Sequence, residues 1–245
     1  MAVVQCSCLG THGRFGNMLF QWAVANKYAQ DAGAKLETPS WIGQKLFGIQ
    51  NDQISHPLPK TEPDKLEWGK PNVDIYGWFQ HEDFVKHLRI SELKRWFTFL
   101  PEFKNRFPKP KKCYIAAHIR RGDYVEQFSN IFCTISEQSY INACEKFKLD
   151  KNKLIYVRED KPQIDNELPE NLNFLTDFFT LLNADVILRA NSTFSWWAAT
   201  LGNGKVFSPL VENKHGEHTV DFVAGNWPKM TNNPNAYLSD LYVDI

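Results

Sequence analysis

Short apolar runs bounded by glycine or proline alternate along this chain with stretches whose apolar residues recur every three or four positions. Residues 2–9 read as a first strand. A helix is expected over 15–30, where Met18, Trp22, Ala25 and Ala29 form one stripe. Gly33 closes it, and 34–37 is a second strand. This is the opening β-α-β of a doubly wound sheet. Residues 39–73 are rich in Pro, Lys and Asp and read as irregular connections. A strand is expected over 74–79, with Tyr76, Trp78 and Phe79 mostly in the core, and a helix over 82–99. Residues 101–112 hold Pro101, Pro108 and Pro110 among basic residues, which suggests a linker. The alternation then resumes, with strands at 113–119, 154–158, 186–189 and 205–208 and helices at about 136–147, 176–184 and 193–201. The pattern predicts an α/β protein in two halves, 1–107 and 108–245.

The 245 residues are 43% hydrophobic, enough for one large core or two small ones. Lys and Arg number 28 against 28 Asp and Glu, so any anion site must be local, and no nucleic acid is expected as a partner. Five cysteines form no CxxC pair and no metal-ligand spacing, which suits a reducing compartment. No run of 18 apolar residues and no leader-like start is present. The expectation is a cytoplasmic protein with no transmembrane segment.

Two stretches carry candidate chemistry. His118-Ile-Arg-Arg-Gly-Asp-Tyr124 leaves the expected strand at 113–119. Arginine offers a fixed fork of donors for phosphate or carboxylate, and ligands of open α/β sheets bind beyond the C-terminal strand ends. The alternatives are a solvated turn and, from Arg121-Gly-Asp, an adhesion loop. Asn191-Ser-Thr-Phe-Ser-Trp-Trp197 follows the strand at 186–189. Asn191 or Ser192 suits an N-cap and Gly202 a C-cap, and a Ser/Thr-rich helix start offers N–H groups and hydroxyls to an anion. Plain capping is the alternative, and Asn191-Ser-Thr also matches a glycosylation sequon by chance. Near the N-terminus the glycines are spaced GxxGxxG, which meets neither the dinucleotide nor the P-loop fingerprint. Gly16-Asn17 at a helix start still offers backbone N–H groups and an amide.

Gly13-Arg-Phe-Gly-Asn17 with Phe20-Gln-Trp-Ala23, His118-Ile-Arg-Arg-Gly-Asp-Tyr124 and Asn191-Ser-Thr-Phe-Ser-Trp-Trp197 resemble, in order and spacing, the three motifs of the α-1,2-fucosyltransferases of glycosyltransferase family 11. Tyr76-Gly-Trp-Phe-Gln80 is a weaker fourth match. The resemblance covers about residues 10–210. It implies a GT-B-like arrangement of two Rossmann-like halves, the first on the acceptor side, the second binding GDP-β-L-fucose, with a donor cleft between them. It implies inversion at the anomeric carbon, no metal and no cofactor, and a glycan acceptor containing galactose. The sequence has no Asp-x-Asp of the kind that holds a diphosphate through a metal.

By that resemblance Arg120 is the main β-phosphate ligand, supported by His118 and Arg121. Gly16, Asn17, Ser192, Thr193 and Ser195 complete the donor site. Asp177, fifteen residues before Ser192, is assigned to the guanine N–H groups, and Asp123 is the candidate base. Asp123 as an orienter of the arginines is the alternative, with Glu82, Glu159 and Asp160 as other bases. The 245 residues are short for the family, and no membrane anchor like that of its animal members is expected. It has Tyr156-Val-Arg-Glu-Asp160 where many relatives have Phe-Ser-Asp-Asp, which bears on the acceptor side. A fucosyltransferase of other linkage, such as α-1,6, and a non-catalytic nucleotide-sugar or glycan-binding protein are the competing functions.

Overall fold

A computed structural model describes residues 1–226, apart from the side chain of Glu82. The chain divides into two compact units, one of Met1–Lys104 and one beginning at Asn105. In the first, β1 (Val3–Gln5), β2 (Lys35–Glu37), β3 (Lys60–Thr61) and β4 (Val73–Ile75) form a parallel sheet in the order β2-β1-β4-β3. Helix α1 (Phe15–Asp31) joins β1 to β2 and is buried on most of its circumference, including Phe20, Trp22 and Tyr28. Met18 lies half-buried at the end of the expected stripe. Helix α2 (Ile42–Phe47) lies within the stretch read as irregular, closed by Gly48.

The expected strand over 74–79 ends early. β4 stops at Ile75, and Tyr76 to Gln80 is a loop in which Phe79 is buried and Trp78 is not. It stops where its partners do, since the pairing with β1 ends at Asp74 and that with β3 at Ile75, and Phe79, left-handed at φ 54°, could not continue a strand in any case. The helix expected over 82–99 is two short ones, α3 (Glu82–Val85) and α4 (Ile90–Trp96). The presumed linker holds a further helix, α5 (Pro101–Arg106), with Pro101 at its first position, where no N–H is required.

The second unit is built on a sheet in the order β11-β9-β8-β5-β7. Its strands are β5 (Ile115–Ile119), β7 (Leu154–Arg158), β8 (Val186–Leu188), β9 (Lys205–Pro209) and β11 (Phe222–Ala224), parallel except for β11. Helices α6 (Asp123–Glu126), α7 (Glu137–Lys146), α8 (Phe174–Leu182) and α9 (Thr193–Leu201) connect them. A two-stranded sheet pairs β6 (Cys133–Ile135) with β10 (Gly216–His218). β5 is buried throughout, as a central parallel strand must be. Trp196 and Trp197 are fully buried in α9.

The strand orders fix where ligands go. In the second sheet the chain winds outward in both directions from the central pair β5 and β8; in the first it passes from β1 to β2 on one side, then to the far edge at β3 and back in to β4, which leaves β1 and β4 as the central pair. The crevice at such a reversal, beyond the carboxyl ends of the strands, is the binding place of doubly wound sheets. Each recognised motif follows one of these four strands.

Candidate active site

In the second unit the loop after β5 is organised by charge. Arg120 is mostly buried, and its guanidinium lies between two carboxylates. Nη2 donates to Asp123 Oδ1 at 2.5 Å, Nη1 meets Glu159 Oε1, and the guanidinium carbon stands 4.8 Å from the centre of the Tyr124 ring. Glu159 follows β7, which pairs with β5 in register through Ile119 and Arg158. The parallel pairing therefore delivers the second carboxylate. Gly122 permits the arrangement in two ways. Its φ of +48° is strained for any other residue, and a Cβ there would come within 3.0 Å of Glu159 Oε2. Arg121 pairs with Glu217 of β10 at 3.2 Å. Arg120 Nε and Arg121 Nη1 are buried donors without a hydrogen bond. Such donors carry a cost that an anionic ligand would relieve.

The Asn191–Trp197 stretch meets the His118–Tyr124 stretch at the switch point. Ser192 caps α9, its Oγ accepting from the Phe194 N–H at 3.3 Å. Tyr124 Oη donates to the Asn191 carbonyl at 2.9 Å. The His118 and Phe194 rings lie 5.6 Å apart, while the His118 carbonyl accepts from Tyr140 Oη at 2.6 Å. Asn191 is buried and donates to the Cys133 carbonyl at 2.9 Å, so the sequon is inaccessible. Ser195 is buried, its hydroxyl turned to the Ala190 and Ser192 carbonyls at 3.2 and 3.3 Å. What it offers a ligand is the backbone of the first helical turn. Thr193 is half-buried beside it.

Asp177 sits in the first turn of α8, buried, and accepts from the Gln163 N–H at 3.3 Å. Burial pushes its pKa up to about 6. The next residue, Phe178, packs edge-on against Phe194 at 5.2 Å, which ties Asp177's helix to α9. The structure thus gathers His118, Arg120, Arg121, Asp123, Asp177, Ser192, Thr193 and Ser195 in one unit. Asp160, by contrast, pairs with Arg158. Glu159 is the residue whose place the sequence ranked too low. Its signal was its position just after the strand that neighbours β5.

Gly16 and Asn17 lie in the other unit, in the first turn of α1. Asn17 Oδ1 accepts from Gln80 Nε2 at 2.9 Å, so the first motif and the Tyr76–Gln80 stretch meet.

Residues 75–219 match the family model described as Glycosyl transferase family 11. The chain belongs to that family. It is 30% identical over 159 residues to the alpha-1,2-colitosyltransferase of Escherichia coli, a match over 55% of this chain and 53% of that protein. The chain thus spans about half the length of the curated relative it matches. Among solved structures it is similar to fucosyltransferase NodZ from Bradyrhizobium, with TM-score 0.55 and 14% identity over 91% of this chain and 99% of that one. NodZ alpha-1,6-fucosyltransferase soaked with GDP-fucose gives TM-score 0.53 and 13% identity, again over 91% and 99%. The fold is accordingly α/β and GT-B-like, with two Rossmann-like halves. Among the described residues no helix is long and apolar enough to cross a membrane, and no group of three or more His, Cys, Asp or Glu could hold a metal ion.

Proposed function

We propose that the protein is an inverting, metal-independent fucosyltransferase that moves L-fucose from GDP-β-L-fucose to the 2-hydroxyl of a galactose-type residue. The observation that carries this reading is Arg120, held by Asp123 and Glu159 beside the start of α9 at the switch point. In the reaction the acceptor oxygen bonds to the fucose anomeric carbon as the bond to the β-phosphate oxygen breaks. The electron pair leaves with GDP, the acceptor proton passes to a base, and positive charge spreads over the sugar ring. Arg120 and the N–H groups of Ser192–Ser195 meet the charge that develops on the β-phosphate, where each preorganised donor contributes roughly 3–4 kcal/mol. Asp123 takes the acceptor proton. His118 and Arg121 support the nucleotide, Asp177 accepts from guanine, and Gly16 and Asn17 complete the donor site. The α-1,2 linkage draws support from the name of the curated relative, which also makes a colitosyl donor the second one to run.

The test is GDP release from GDP-fucose, in EDTA, against a glycan panel, with the product linkage read by NMR. We expect release that depends on a β-galactoside and an α-1,2 product. Activity recovered only by Mn²⁺ would remove the metal-free mechanism, an α-1,6 product the linkage, and binding without turnover the enzyme itself.

A further inference from the structure

The aromatic residues of the described chain are buried or half-buried, with one exception. Trp78 is 45% exposed. An indole left half in water forgoes part of the burial that stabilises the other aromatics, so a ring held in this way calls for a reason. Trp78 is not a loose side chain. His12 packs 5.6 Å from its ring and also meets Tyr76 edge-on at 4.9 Å. A Cβ on Gly13 would lie 2.6 Å from Trp78 Cζ3 and 1.9 Å from Asn17 Nδ2, so the ring and the amide both close over that position. Gly13, at φ +78°, supplies the missing bulk. Gln80 then bonds Asn17 from the far side, and Gln21 Nε2 pins the carbonyls of His12 and Gly77 at 3.1 and 3.4 Å. The loops after β1 and β4 are thus tied together around one outward-facing ring, at the switch point of the first sheet.

The chemistry here is that of a sugar subsite. An indole face stacks on the run of C–H bonds that a pyranose presents on one side. In β-galactose the axial 4-hydroxyl leaves the hydrogens of C3, C4 and C5 together on the opposite face. Beside the ring the Gln80 amide, held by Asn17 Oδ1, offers a donor and an acceptor suited to hydroxyls, not a guanidinium suited to phosphate. We propose that Trp78 is the platform on which the acceptor's galactose-type ring stacks, with Gln80 reading its hydroxyls. This rests on the glycan-acceptor reading above and names its subsite.

The experiment is calorimetry of methyl β-D-galactoside, lactose and N-acetyllactosamine on the full chain saturated with GDP, alongside GDP titrations without sugar. Trp78→Ala should weaken galactoside binding by about tenfold or more, the loss of one aromatic contact and its burial. Trp78→Phe should recover most of it, and GDP affinity should stay within about twofold in both variants. Unchanged galactoside affinity in Trp78→Ala overturns the proposal, as does a wild type that binds none of the three sugars. An equal loss of GDP affinity overturns it too, by moving Trp78 to the nucleotide. Galactoside binding that depends on Trp78 in a protein that releases no GDP from GDP-fucose sustains the subsite while the transferase reading fails.

Discussion

The two units use one architecture for two kinds of surface. Each has a parallel sheet with a central pair of strands, and each places its motifs in the two loops beyond that pair. Beyond β5 and β8 stand guanidinium groups, carboxylates and the positive end of α9. Beyond β1 and β4 stand an indole, an imidazole and two amides. Both loops hinge on a left-handed glycine whose missing Cβ makes room for a polar side chain, Glu159 at Gly122 and Asn17 at Gly13. The lesson is that topology chooses the place and side chains choose the ligand. On the proposed reading, one place serves phosphate and the other hydroxyls.

The largest effect should come from the charged side. If Arg120 holds the departing phosphate with two directed N–H bonds, Lys keeps the charge and loses the fork. Arg120→Lys should lower turnover by on the order of a hundredfold or more, with much smaller change in GDP-fucose binding. The thermal midpoint without ligand should barely move. Near-normal turnover in the folded variant would erase the distinction between the two surfaces.

Next comes Asp177. Its pKa of about 6 lies above the ordinary carboxylate range because burial disfavours the charge. The folded state therefore holds the proton more tightly than the unfolded chain does. The stability this contributes is present at acid pH and is lost as pH rises through about 6. Guanine N–H groups favour the ionised form, so GDP affinity should rise over that same window. Asp177→Asn should flatten both profiles and weaken GDP by roughly 1–3 kcal/mol at neutral pH, and UDP by much less. Calorimetry across pH 5 to 8, run on both proteins, decides it.

On the neutral side, Gly13→Ala forces a left-handed alanine and separates Asn17 from Trp78. A thermal midpoint lower by the equivalent of roughly 1–2 kcal/mol is expected, with weaker galactoside binding and unchanged GDP affinity. A loss of GDP affinity would mean that the two surfaces are not divided as described. The smallest effect belongs to Glu159→Gln, which leaves Arg120 with one carboxylate fewer to compete with a diphosphate. GDP should bind tighter by up to about 1 kcal/mol, and weaker binding would show that Glu159 positions the guanidinium for the ligand instead.

Much of this was legible in the sequence, for reasons particular to each part. The long buried strand β5 and the helices α1 and α9 announce themselves through continuous or periodic apolar residues. The short strands β6, β10 and β11 do not, because three residues such as Cys133-Thr-Ile135 carry no period of their own and are strands only through distant partners. The aromatic run Tyr76-Gly-Trp-Phe looks like a strand by composition, but the partner strands end before it and Phe79 is left-handed. In the site, Arg120 and Asp123 are neighbours in sequence and were found together. Glu159 reaches them through strand pairing, a relation that spacing along the chain does not encode.

The reach of those pairings sets an order of events during synthesis. Arg121 waits for Glu217, Tyr124 for Asn191, and the helix that follows Asn191 is clasped by Asn226, which donates to the Trp196 carbonyl at 3.3 Å and to Thr200 Oγ1 at 2.9 Å. Domains tend to fold as units as they leave the ribosome, the N-terminal one first. The surface around Trp78 belongs to the unit that ends at Lys104, and can therefore form while the second unit is still being made. The surface around Arg120 cannot be finished until residue 226 has emerged, so a nascent chain completes its two surfaces at different times.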